Sequence, residues 1–302
     1  MSPLIILMYA LFASSLSAGK YLVSNASYMF VVGSRFTISG AILLVYYFLW
    51  LKKSIHPRTL HLDIYAQIII VGIYAGYLIR LWGLTYISAV KLSLFFNAAP
   101  FFTALLAYFL LKDNMTPKQI IGLVIGFIGL LPIILTGSAE ETEIGEFLFI
   151  SWPELAVLTA VALQSYTWIL MKKLIKDKGH SPIFANGITM FFGGFLALLT
   201  SFWFDGFSAV KNAHAFWPWL FYVVIVSNVI CSNLYGYLLK HYSATFVSFA
   251  GFITPFFTAL YGWGFLGETI TWHFYASCTI VFAGLYLFYQ DELIDIPSLQ
   301  NG

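Results

Sequence analysis

The stretch Pro100-Phe101-Phe102-Thr103-Ala104-Leu105 recurs letter for letter as Pro255-Phe256-Phe257-Thr258-Ala259-Leu260, 155 residues downstream. Holding that offset without a gap from Leu84 to Leu130 gives 16 identities in 47 positions, among them Ser88/Ser243, Ala89/Ala244, Ser93/Ser248, Thr116/Thr271 and Gly129/Gly284. Shared apolar composition accounts for some of these, but an unbroken run of six with matching serines and glycines marks an internal repeat. Both prolines lie near the middle of apolar runs, 89–111 and 243–266. A proline there has no N–H to donate and crowds the carbonyl four residues back, so it kinks a helix and loosens the carbonyls of Phe96 and Gly251. Membrane helices tolerate a single proline for packing reasons. Two at matching depths of two halves point instead to a site built between interrupted helices.

Hydrophobic residues make up 60% of the 302 and charged residues 9%, against about 25% charged in a soluble domain. Such a chain belongs in a bilayer. At roughly 20 residues per spanning helix it holds about ten helices with short connections, and no soluble domain fits beside them. A formal charge of +2, with basic residues scattered among loops, is too small to suggest nucleic acid, and no nucleic-acid partner is expected. Cys231 and Cys278 both fall inside apolar runs, so neither a disulfide framework nor a metal site is expected, and no motif calls for a cofactor. The first apolar run, 3–23, has no Lys or Arg before it and no small-residue cleavage site, and reads as a retained helix.

Helices are predicted at 3–23, 28–51, 64–86, 89–111, 118–136, 153–172, 183–204, 216–238, 243–266 and 273–289. The polar/apolar alternation of a membrane β-barrel is missing. With the N-terminus cytoplasmic, the inner loops carry Lys52, Lys53, Arg58, Lys112, Lys118, Lys172, Lys173, Lys176, Lys178 and Lys240, and the outer loops only Lys211. That bias follows the positive-inside rule and checks the helix count, since one helix more or fewer would scramble it. Five spans per half is odd, so the second half enters from the opposite side. The expected fold is an all-α polytopic membrane protein of ten transmembrane helices in two inverted five-helix repeats, 1–137 and 153–290. An acidic external linker, 138–152, with Glu140, Glu141, Glu143 and Glu146, joins them, and a cytoplasmic tail, 291–302, follows. Gly72 and Gly76, and Gly122, Gly126 and Gly129, suit close helix contacts.

The pattern Ser88-Ala89, Pro100 to Leu105, Gly122 and Gly129, repeated as Ser243-Ala244, Pro255 to Leu260, Gly267-Glu268 and Gly284, resembles the EamA-type members of the drug/metabolite transporter superfamily. Arg35-Phe36 in the second helix is similar to the family's usual start there. The resemblance implies ten helices, both termini in the cytoplasm of a bacterial cell inner membrane, and export or exchange of small metabolites such as amino acids. Some relatives take up S-adenosylmethionine, and distant ones carry nucleotide sugars. Two departures stand out: Lys112-Asp113 in the first half where the second keeps Gly267-Glu268, and Lys91 where relatives usually have a small residue.

Charges within the bilayer are costly enough to be functional candidates by default. Here they are Lys20, Arg35, Arg80 and Lys91, with no acid in the helix interiors to pair with them. Lys20 and Lys91 lie near helix ends, where long side chains reach the headgroups. Arg35 and Arg80 lie about 10 Å deeper, two helical turns at 1.5 Å per residue. The resemblance implies a structural role for Arg35. Arg80 shares a helix face with Tyr77 and is expected, with Lys91, to bind a carboxylate or phosphate, because a planar guanidinium matches such an anion in two-pronged fashion. Asn97, Gln164, Tyr166, Asn233 and Tyr235, together with Asn228, extend the candidate substrate site, although a lone amide in a membrane helix equally serves a helix–helix hydrogen bond. Trp168, Tyr235 and Trp82 are candidates for stacking on a planar substrate, whereas Trp50, Trp152 and Trp272 at helix ends read as interface anchors.

Catalysis has no support: the six histidines sit in loops or at helix ends, and no nucleophile, metal or phosphate-loop motif is present. Asn25-Ala26-Ser27 and Asn114-Met115-Thr116 match the glycosylation pattern by chance, one in a short loop and one on the cytoplasmic side. The expected function is secondary transport of a small anionic or zwitterionic metabolite by alternating access. Exchange or facilitated passage is favoured over proton coupling, because the midplane holds no Asp or Glu. The alternative is an intramembrane enzyme or lipid-handling protein that holds a headgroup with the outer cations. The partners are a soluble metabolite and membrane lipids, with monomer and homodimer both open.

Overall fold

The computed structural model describes residues 3–51, 61–106, 108–109, 115–137, 141, 143–206, 210–241, 247 and 250–299; for 239–241 and 291–299 it describes the backbone alone. Asp113, Asn114, Glu140, Ser243, Ala244 and Ser248, and the loop cations Lys52, Lys53, Arg58 and Lys112, lie outside these residues. Eight described helices are long and apolar enough to cross a membrane: α1 (Pro3–Asn25), α2 (Tyr28–Trp50), α3 (Leu62–Tyr86), α4 (Ala89–Leu106), α5 (Pro117–Ile134), α6 (Trp152–Asp177), α7 (Pro182–Phe204) and α8 (Ala213–Leu238). A short helix, α9 (Thr254–Tyr261), and a long one, α10 (Trp272–Leu299), complete the chain. The last helix runs on to Leu299, past its expected end at 289. The linker between the halves is not wholly irregular either: Glu146–Phe147 and Ile150–Ser151 pair as a small antiparallel hairpin.

Local chemistry sets the helix starts. Thr116 and Ser151 each accept from a backbone N–H three residues on, while Gln119 and Glu154 reach back to the cap N–H, and Pro117 and Pro153 stand in the first turn. Such reciprocal caps satisfy donors that the first turn would leave orphaned. Ser27 and Asn212 cap α2 and α8.

Helix α2 packs along α7 and α5 along α10; α1 packs on α8 and α9, and α6 on α3 and α4. Close backbone approach at small residues makes these crossings possible. A Cβ built on Gly40 would sit 2.3 Å from the amide nitrogen of Phe191, and one on Gly194 2.4 Å from that of Thr37, so α2 and α7 touch backbone to backbone. Gly122 of α5 and Gly284 of α10 meet in the same way. Around this core, Ile120, Ile121, Val124 and Ile128 of α5 and Phe195, Leu199, Phe202 and Trp203 of α7 are exposed. Apolar faces of this extent are covered by lipid in an integral membrane protein. Trp50, Trp152 and Trp272 are exposed at helix ends, where interface anchors belong.

Candidate functional site

The two repeated prolines interrupt their helices in the same place. In α4 the helix breaks at Asn97 and Ala98, whose N–H groups fold back to Leu94 and Phe95, and it resumes at Ala99. Ahead of α9 a single 3₁₀ turn, Gly251–Ile253, precedes the helical residues that start at Thr254. Helices α3 and α8 share a second irregularity, wide π-helical stretches at Ile68–Gly76 and Val224–Cys231. The 155-residue offset lays these stretches over each other. π-Turns are uncommon and concentrate at functional sites.

Both proline breaks border one cavity of about 980 Å³, and the helices that carry the π-stretches reach it through residues just beyond them, Tyr77 and Arg80 on α3 and Tyr235 on α8; the volume is near the upper end of the roughly 300–1,000 Å³ usual for ligand sites. It is lined by Tyr77 and Arg80 of α3, Phe96, Asn97 and Pro100 of α4, Gln164, Ser165 and Trp168 of α6, Tyr235 of α8, Phe252 and Thr254 beside the second break, Tyr9 of α1, and Phe288 and Tyr289 of α10. From the buried Asn97 it runs to the exposed Lys173, Lys176 and Asp177 where α6 ends. That end is open.

Arg80 is the charged group at the cavity's depth. Its guanidinium lies over the rings of Phe96, 4.4 Å from the centroid, and Tyr77, 5.2 Å away, which aim it without neutralising it. Its Nε is buried with no hydrogen-bond partner, and so is Nδ2 of Asn97. Unpaired buried donors each cost about 1–3 kcal/mol. Both groups line the same cavity, within reach of an acceptor that enters it. At the aromatic end, Trp168 of α6 and Tyr235 of α8 lie 4.3 Å apart between ring centroids, both from the second half of the chain. Among the charged lining residues Arg80, Lys172, Lys173 and Lys176 outnumber Asp177, so the cavity favours anionic groups.

Six of the nine predicted substrate-site residues, Tyr77, Arg80, Asn97, Gln164, Trp168 and Tyr235, line this cavity. The structure places the others elsewhere. Tyr166 donates its hydroxyl to the Gln67 side chain. Asn233 donates to the Val229 carbonyl and accepts from Asn186, a helix–helix contact of the kind expected of a lone amide. Lys91 requires a correction, because acids do reach it: its Nζ lies 2.6 Å from carboxylate oxygens of both Glu141 and Glu154, and all three side chains are buried. Charge pairing, rather than extension to the headgroups, is what keeps it at that depth. Lys20 also turns inward, donating to the carbonyls of Leu84 and Thr85 at the end of α3.

Arg35 is structural in its contacts. It donates to Asn228 Oδ1 from Nε and Nη2, and to Ser227 Oγ, while Asn228 returns a bond to Ser39. Asn228 is thereby taken up in tying α2 to α8, and Trp82 packs edge-on against Tyr86. Pro100 borders the cavity, whereas Pro255 is buried beside it. Reading the sequence missed Tyr9, Phe252, Thr254 and the lysines at the mouth. The repeat itself held a signal for two of them, since Asn97 and Ala99 map onto Phe252 and Thr254 and all four line the cavity.

Comparison with known proteins follows the same line. The model of the EamA-like transporter family matches residues 2–135 and again 151–290. A Chlamydia muridarum protein named S-adenosylmethionine/S-adenosylhomocysteine transporter is 31% identical over 96% of this chain and 91% of its own length, and its Chlamydia trachomatis counterpart is 30% identical over 96% and 89%. An uncharacterized transporter of Bacillus subtilis is 30% identical over 62% of this chain and 60% of its own. One solved crystal structure, only 14% identical, superposes with a TM-score of 0.68 over 94% of both chains and so shares the fold. With the family's pattern present twice and the relatives spanning nearly the whole length, this chain belongs to the EamA-like transporter family.

Proposed function

We propose that the protein is a secondary transporter exchanging S-adenosyl amino-acid compounds across a bacterial inner membrane. The observation that carries this reading is one cavity with a carboxylate-matching end and a ring-matching end. Arg80 and Asn97 present unpaired donors at one, and Trp168 and Tyr235 present aromatic faces at the other. A molecule with an amino-acid carboxylate and a purine ring fits both, and the names of the chlamydial relatives point to the same chemical class.

Two inverted five-helix repeats, 1–137 and 153–290, would supply the alternating access. Exchanging the halves maps α1 on α8 and α9 onto α6 on α3 and α4, and maps the α2–α7 and α5–α10 pairs onto themselves. The same exchange relates the two π-stretches and the two proline breaks. The lysines at the open mouth support a cytoplasmic position for that end and for both termini. Among the described residues no carboxylate lines the depth of the cavity, so exchange or facilitated passage serves better than proton coupling. The enzyme alternative loses its ground, because the family is one of transporters.

Proteoliposomes holding the purified protein test this directly. Uptake of radiolabelled S-adenosylmethionine should saturate, accelerate with S-adenosylhomocysteine inside, and change little under an imposed pH gradient. Absence of saturable uptake by folded protein refutes the substrate, and a strong response to the pH gradient refutes exchange without proton coupling.

The ring contact has its own test. Stacking of a base on an aromatic side chain is worth about 1–3 kcal/mol, so Trp168→Ala should weaken S-adenosyl compounds on the order of tenfold while leaving competition by ring-free methionine nearly unchanged. Equal weakening of both would remove Trp168 from the ring site.

A further inference from the structure

We infer that Lys91, Glu141 and Glu154 form the outer gate of the transport path, an ion lock that holds the cavity closed to the outside while it is open to the cytoplasm. The inference rests on the alternating-access reading above and identifies residues that set its equilibrium.

The lock lies on the helices that form the cavity. Lys91 is one turn into α4, which carries Asn97 and Pro100 to the cavity, and Glu154 is in the first turn of α6, which carries Gln164 and Trp168. These are the ends of α4 and α6 away from the open mouth. Glu154 is engaged twice: one oxygen accepts the Ser151 N–H of its own helix cap, and the other faces Lys91 at 2.6 Å. Glu141 of the linker closes on Lys91 from the other chain segment, also at 2.6 Å. At the same end Glu268, just beyond α9, accepts from the N–H groups of Ala89 and Val90 at the start of α4. The first half is thus fastened to the second where the cavity is shut.

Opening that end must draw α6 from α4 and pull the ammonium off a carboxylate in a buried setting, where separating such charges is expensive. The lysine is not repeated in the sequence: the offset pairs Lys91 with Phe246, so the first half alone supplies this cation. The resting protein is therefore biased toward the inward-open state. Lys91 and its partners act on the equilibrium between states rather than on the substrate.

The test uses a reporter cysteine at Gln164 in a background where the two buried native thiols, Cys231 and Cys278, are replaced by alanine. Labelling by a membrane-impermeant maleimide should be fast from the cytoplasmic face and slow from outside. Lys91→Met, which leaves two buried carboxylates facing each other, should raise the outside rate at least about tenfold. The charge exchange Lys91→Glu with Glu141→Lys and Glu154→Gln re-forms one ion pair with its charges reversed, leaves no like charges facing each other, keeps a cap-competent glutamine at 154, and should return the outside rate toward that of the parent. If Lys91→Met does not fold, the uncharged triple variant Lys91→Met, Glu141→Gln, Glu154→Gln serves in its place and should show the same increase. An outside rate unchanged in whichever folded variant is used, or one that the charge exchange does not lower, overturns the gate. Labelling needs no substrate, so failure to transport S-adenosyl compounds would refute the proposed function and leave this result standing.

Discussion

Arg80→Gln is expected to abolish high-affinity transport while leaving a folded protein. The guanidinium is held by ring faces rather than by an acid, with Nε buried and unpaired. Glutamine keeps a polar side chain of similar reach but removes the charge and the two-pronged donor set. Removing one partner of a buried charged pair costs about 2–5 kcal/mol, which corresponds to roughly 30-fold to 4,000-fold in affinity at about 1.4 kcal/mol per tenfold. The empty protein, by contrast, should gain slightly in stability, because an uncompensated charge in a bilayer is itself a cost. The two effects have opposite signs and are read together in one thermal-shift experiment: a melting temperature equal to or above that of the parent without ligand, and loss of the ligand-induced rise that binding to the folded state produces. A variant that still binds and transports as the parent does would show that Arg80 plays no part in recognition.

The second large effect is expected at the α2–α7 crossing. A side chain at Gly194 would start 2.4 Å from the Thr37 amide nitrogen, and the obstacle is backbone, which cannot swing away. Gly194→Leu must therefore push the two helices apart. Overpacking of a close contact costs about 3 kcal/mol at the upper end of its usual range, and a backbone obstacle exceeds that. The displacement reaches the site, because Arg35, two residues before Thr37, anchors α8 through Ser227 and Asn228 and packs on the Tyr77 ring that also aims Arg80. The variant should melt about 10 °C lower or fail to elute as a single species. Gly264→Ala is the matched control, since nothing lies within 4 Å of a Cβ there. Equal stability of the Gly194→Leu variant and the parent would mean that the crossing is looser than the structure has it.

Both predictions start from features of different legibility. Gly194 is one of many glycines in apolar helices, and nothing in its apolar neighbourhood distinguishes it from the exposed Gly264. Arg80 was legible, because a charge two turns inside an apolar run demands a reason whatever the fold. Asn97, one turn before a repeated proline, and Tyr235, which the repeat offset pairs with Arg80, were legible on similar grounds, and Trp168 as a large aromatic inside an apolar helix. Lys91 was singled out for the right oddity and given the wrong partner. Its acids stand 50 and 63 residues away in sequence, one in a linker and one in the next helix cap, and no periodicity links them to it. Tyr166 and Asn233 carry the same chemistry as the residues that reach the cavity, and only the rotation of their helices turns them to Gln67 and Asn186 instead.

The amino-acid sequence by itself determined that this is a helical membrane protein, where its spans start, and that its helices break at repeated prolines. Those properties depend on hydrophobicity, capping groups and missing N–H donors within a few residues of one another. Which polar side chains share a cavity, which lysine is locked and which end is shut were decided by the tertiary structure alone. Those outcomes depend on how each helix is turned about its axis and on which distant backbones come close enough to touch.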